Sequence, residues 1–154
     1  MDAEPMNIKL LRQIQKYILA EPRRFQMVEW ILRRIKGEWY LNDRTRTFNG
    51  DEEELPRRIP PCNTASCIAG TAVLLGAPRQ QTKLTGDQLR MLASKLLQLE
   101  DDMRVDYTQS PAGRLYFMRF WPGKFQTAAR PGTKAFAENA CKRIDHFIAT
   151  EGRE

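Results

Sequence analysis

From Ala65 to Leu75 the chain carries almost no polar surface: Ala65, Ile68, Ala69, Ala72, Val73, Leu74 and Leu75 leave a helix no hydrophilic face to turn to water. A helix that is apolar all round has to be surrounded by other elements. Ser66 and Gly70, and Ala65 and Ala69, lie four apart, so small residues recur where a neighbouring helix can come close. Gly70 costs about 1 kcal/mol of helix propensity relative to alanine, and close packing is the natural compensation. The expected fold is all-α: a compact bundle of five or six helices around a central small-residue helix.

The rest of the chain supplies the surrounding helices. Ile8, Leu11, Ile14 and Ile18 make a stripe from about Asn7 to Leu19, which Pro22 stops because the residue before proline avoids helical geometry. Val28, Ile31, Leu32 and Ile35 suggest a second helix over Met27 to Ile35, with Gly37 closing it. The central helix is expected from Asn63 or Thr64 to Leu75. Thr85, with Gln88 three residues on, reads as a capping box for Leu89, Leu92, Ala93, Leu96 and Leu97. Ser110-Pro111 opens a helix through Leu115 and Met118 to Phe120. Phe136, Ala137, Ala140, Cys141, Ile144, Phe147 and Ile148 form the stripe of a last long helix from about Thr133.

At 154 residues the chain is expected to be a single helical domain over 1–154. An irregular connection, acidic then basic, runs from 38 to 61. Within it a short hairpin is expected near 39–48, with Trp39-Tyr40-Leu41 and Thr45-Arg46-Thr47-Phe48 flanking Asn42-Asp43; Asn49-Gly50 is a second turn signal. No run is long enough to span a bilayer, and the first residues lack the basic region and apolar run of a signal peptide. The expected location is cytoplasmic, where cysteines stay reduced.

Two of the three cysteines flank the central helix start, in Cys62-Asn63-Thr64-Ala65-Ser66-Cys67. With Thr64 as N-cap, Cys67 takes the third helical position, where unpaired N–H groups and the helix dipole favour a thiolate. The functional readings are a nucleophile, a redox pair with Cys62 as resolving partner, or soft metal ligands. The structural reading is that both are small buried residues, with Cys62, Thr64, Cys67 and Gly70 serving the fold. A zinc site would need Cys62, Cys67, Cys141 and His146, yet Cys141 and His146 are five apart, roughly 140° around a helix. A Cys67–His146 catalytic pair meets a further objection: His146 is flanked by Asp145 and Arg143 on what reads as a solvated face. No phosphate loop, carboxylate triad or nucleophile elbow occurs. No metal or cofactor is expected.

Three pieces, Cys62-Asn63-Thr64-Ala65-Ser66-Cys67-Ile68-Ala69-Gly70, Leu115-Tyr116-Phe117 with Trp121-Pro122, and Arg143-Ile144-Asp145-His146-Phe147-Ile148, carry a resemblance. The chain resembles small helical proteins of unassigned function from bacteria, cyanobacteria and phages. These have a C-G-T-x-x-C-I-A-G segment, a later W-P and a C-terminal R-I-D-x-F helix. Asn63 stands where that family usually has glycine, and Thr71 where tryptophan or histidine is common. The resemblance implies a fold and a cysteine-flanked helix, and no reaction.

The net charge is +6, with 17 arginines against 8 lysines. Such charge favours acidic partners. The arginines come in pairs: Arg23-Arg24, Arg33-Arg34 and Arg57-Arg58, with Phe25, Trp30, Trp39 and Tyr40 near them in sequence. Arginine and aromatics are the residues most enriched at binding hot spots. The expected function is a non-enzymatic binding or adaptor module for another, acidic protein, using Arg23, Arg24, Arg33, Arg34, Trp39, Arg57 and Arg58. The alternatives are nucleic-acid binding through the same face and a thiol-dependent enzyme or redox protein built on Cys67 and Cys62. The oligomeric state is left open.

Overall fold

A computed structural model of the chain describes residues 6–27, 31–35, 38–41, 45–48, 51–54, 64–80, 84, 86–101 and 110–154. Among the described residues five α-helices form a compact bundle: α1 (Ile8–Ala20), α2 (Ile68–Gly76), α3 (Gly86–Leu97), α4 (Pro111–Tyr116) and α5 (Lys134–Ala149). Short strands accompany them: β1 (Ile31–Ile35), β2 (Glu38–Leu41), β3 (Thr45–Phe48), β4 (Asp51–Glu54) and β5 (Thr64–Ser66).

The small-residue helix is central, as its composition demands. Every residue of α2 from Ile68 to Val73 is buried, and the helix packs against α1, α3 and α4. Helix α1 turns Leu10, Leu11, Ile14 and Ile18 inward. Asn7 caps it, the side chain accepting from Leu10 N at 3.0 Å. The same residue ties the start of α1 to the end of α3: its Nδ2 donates to Leu96 O at 3.0 Å and its N donates to Leu97 O at 2.8 Å. Helix α5 starts at its Thr133 cap and buries Phe136, Ala137, Ala140, Cys141, Ile144 and Phe147 against α1 and the core. Ser110 caps α4, its Oγ accepting from Gly113 N at 3.1 Å.

Four expectations need correction. The apolar spacing at 31, 32 and 35 does not make a helix: Ile31–Ile35 is the middle strand of a sheet ordered β2-β1-β5, and Val28 lies outside the described residues. Antiparallel partners on both sides satisfy its backbone, and that tertiary pairing outweighs a helical period in a short segment. The central helix begins later than expected, because residues 64–66 are claimed by pairing with β1. Its N-cap is Cys67, not Thr64. The strands expected near 39–48 exist, but β2 pairs with β1, and β3 pairs with β4 with Phe48 opposite Asp51. Part of the connection at 38–61 is therefore ordered β structure. The helix expected to reach Phe120 ends at Tyr116, and a 3-10 turn covers Met118–Phe120. Thr85, expected as a cap, lies outside the described residues.

The three-stranded sheet is moored to the bundle at one end. Phe25 bridges Ser66 in parallel, and Gln26 N donates to Ser66 O at 3.2 Å. Phe25, Ile31 and Ser66 are all buried, and the Phe25 ring lies 5.5 Å from that of Phe136 on α5.

Candidate functional site

The register of the sheet decides how the arginines of β1 are distributed. Arg34 stands opposite Trp39, and Arg33 stands opposite Tyr40 on one side and Thr64 on the other. Successive residues of a strand alternate between its faces, so positions 33 and 34 belong to opposite faces and do not act as one doublet. Each is instead matched across the ladder with an aromatic residue of β2. On the second sheet, Arg46 stands opposite Glu53. Arg57, Arg58 and Cys62 lie outside the described residues.

The other arginine doublet follows α1 in a 3-10 turn, Pro22–Arg24, which packs against α5 and β5. Its two members differ sharply. Arg23 is exposed, with Nε donating to Glu21 Oε1 at 3.1 Å. Arg24 is half-buried, its guanidinium carbon 4.3 Å from the centroid of the Tyr17 ring. Both the Arg24 Nε and the Tyr17 hydroxyl are buried with no hydrogen-bond partner. Leaving one such donor unsatisfied costs about 1–3 kcal/mol. The stripe Ile8, Leu11, Ile14 and Ile18 leaves out Tyr17, which lies at the flank of the same face and packs, half-buried, against the core. The available signal was an aromatic in the last turn of a helix that leads straight into an arginine pair.

Cys67 sits in a closed environment. It is 3% exposed, and its Sγ accepts from Gly70 N at 3.4 Å as the N-cap of α2. Thr71 Oγ1 donates to Cys67 O at 2.7 Å, and Ser66 Oγ lies 2.8 Å from Thr71 Oγ1. With the Thr71 proton committed to Cys67 O, Ser66 is the donor of that second bond. These bonds stitch the end of β5 to the first turn of α2.

Beside this junction runs a buried polar network. Arg90 on α3 donates from Nε to Asp101 Oδ2 at 2.8 Å, and its Nη2 pairs with Asp101 Oδ1. The two side chains are only 2% and 6% exposed. Ser94 Oγ lies 3.0 Å from Asp101 Oδ2 and 3.1 Å from the Tyr116 hydroxyl. Burial pushes the Tyr116 phenol far up; the Ser94 hydrogen bond opposes this, while Asp101 and Cys67 add to the rise. Tyr116 is thus a neutral hydrogen-bonding group at physiological pH.

His146 and Cys67 keep different company. His146 Nε2 lies 2.9 Å from Glu154 Oε2, and its ring lies 5.3 Å from that of Phe125. The solvated face expected around it is incorrect for two residues. His146 is half-buried, and Arg143 is 0% exposed, packed by the Phe125 and Phe147 rings. Arg143 donates to Glu154 O at 2.8 Å and to Arg114 O at 3.3 Å, and burial lowers its pKa to about 10. Cys141 faces α1: its Sγ donates to Gln15 O at 3.7 Å, while Gln15 Nε2 donates to Cys141 O at 2.9 Å. Burial pushes the Cys141 thiol up to about 12. Gln15, with Arg12 assisting, holds the Asp145 carboxyl below the ordinary carboxylate value.

Both described thiols should consequently resist modification. Under a disulfide reagent at pH 8, Cys67 and Cys141 are expected to react only as fast as the fold opens. Peptide mapping of the labelled sites checks this. Rapid native-state labelling of Cys67 would favour the thiol-chemistry reading.

Among the described residues no helix is long and apolar enough to cross a membrane, and no three His, Cys, Asp or Glu side chains gather as a metal site. No family model, curated protein or solved structure matches this chain.

Proposed function

We propose that this chain is a non-enzymatic binding module for an acidic protein, using the arginine-bearing sheet and the Pro22–Arg24 turn beside it. The observation that carries this reading is the ladder register, in which Arg33 and Arg34 each stand opposite an aromatic residue. An aromatic next to a cation offers apolar area and charge at one point, which is the chemistry of an interface hot spot. The net charge of +6 adds attraction to an acidic surface. The thiol reading has less support, because Cys67 is enclosed and its sulfur accepts a backbone hydrogen bond.

Affinity capture tests the proposal. Wild-type chain and the Arg33→Glu/Arg34→Glu variant are used as parallel baits in the same lysate, with and without nuclease. The expected result is a protein retained by the wild type and reduced about tenfold or more on the variant, equivalent to about 1.4 kcal/mol or more. Retention that disappears with nuclease would move the reading to nucleic acid. Equal retention by both baits would remove the sheet from the interface.

A further inference from the structure

The geometry points to Tyr17 and Arg24 as a receptor for a carboxylate side chain inserted by an acidic partner segment. This rests on the protein-binding reading above and gives it a specific contact. Two buried donors, the Tyr17 hydroxyl and the Arg24 Nε, lack any acceptor, and the two groups are stacked at 4.3 Å. Buried polar groups in folded proteins are almost always satisfied, so an orphaned pair calls for an explanation. A carboxylate has two acceptor oxygens and so can serve both donors once the guanidinium swings off the ring.

The surroundings suit an anion. Glu21 is engaged with the neighbouring Arg23 and not with Arg24. The loop that carries exposed Arg130 closes on the same turn, with Gly132 N donating to Phe25 O at 3.0 Å. Both donor atoms are covered in the free protein. An incoming group therefore has to displace the guanidinium from its resting place over the ring. A side chain reaching in from a partner can do this. Phosphates fixed along a nucleic-acid backbone meet outward-facing cations more readily than a half-buried one.

The test uses an acetylated, amidated hexaglutamate peptide as probe, with a thymidine oligonucleotide of equal charge beside it. Affinity is measured for wild type, Tyr17→Phe and Arg24→Gln, together with thermal unfolding. Arg24→Gln should weaken peptide binding about tenfold, and Tyr17→Phe about threefold, the range of charge-assisted and ordinary hydrogen bonds. The signature is that Tyr17→Phe keeps or raises the thermal midpoint, because it deletes an unsatisfied hydroxyl while leaving the ring. A lowered midpoint with unchanged affinity would mean a purely structural pair and overturn the inference. So would absence of peptide binding, or an oligonucleotide that binds more tightly than the peptide. Peptide binding lost in Arg33→Glu/Arg34→Glu but intact in both site variants would overturn this contact while leaving the protein-binding reading in place.

Discussion

Asp101→Ala should lower the stability of the chain by about 3–5 kcal/mol, the cost of removing one member of a buried ion pair. Arg90 and Asp101 are 2% and 6% exposed, so neither side chain can recover its loss by turning to water. The carboxylate also receives Ser94, and Ser110 Oγ lies 3.4 Å from it. Its removal thus loosens the end of α3 and the cap of α4 together. Denaturant unfolding followed by circular dichroism reads the loss. Replacing both partners, as Arg90→Met with Asp101→Leu, should recover part of it, because well-packed apolar groups avoid the cost of burying these two charges. A loss below about 1 kcal/mol for Asp101→Ala would mean that the pair behaves as a surface salt bridge.

Gly70→Leu should be the second severe change, costing about 1–3 kcal/mol or more through overpacking. Gly70 lies within the buried stretch of α2, between Ala69 and Ala72, both 0% exposed. Helices α1, α3 and α4 all pack on α2, so extra volume displaces whole elements. Gly70→Ala separates packing from propensity. Helix propensity alone predicts a gain of about 1 kcal/mol; close approach predicts a smaller gain or a loss. A full gain would contradict the close-packing account of this helix.

The helices were legible where the period was long and the cap chemistry explicit. The Ile8, Leu11, Ile14, Ile18 stripe, Ser110-Pro111 and the Thr133 start all correspond to real elements. The all-apolar run around Gly70 correctly identified the centre of the bundle. Residues 31–35 misled because Ile31, Leu32 and Ile35 fit a short strand once partners exist on both sides, and those partners lie up to 35 positions away, at Ser66 opposite Ile31. Cys67 was placed at the right end of the right helix but at the wrong position, since strand pairing of Thr64–Ser66 delays the start. Arg143 reads as solvated beside Lys142 and Asp145; only the fold brings Phe125 beside it. Arg24 was named from its doublet, whereas its partner Tyr17 required the turn after Pro22 to fold back over α1.

The central claim is that the sheet and the adjacent turn form the partner surface, and backbone hydrogen exchange tests it most directly. Exchange is followed in the free chain and in the complex with the protein captured by the wild-type bait. The account predicts slowed exchange at Glu38–Leu41, the strand at one edge of the sheet, and at Arg23 and Arg24, with α3 and α4 unchanged. Protection confined to α3, α4 or the end of α5, with β2 and the turn exchanging as in the free chain, would contradict it.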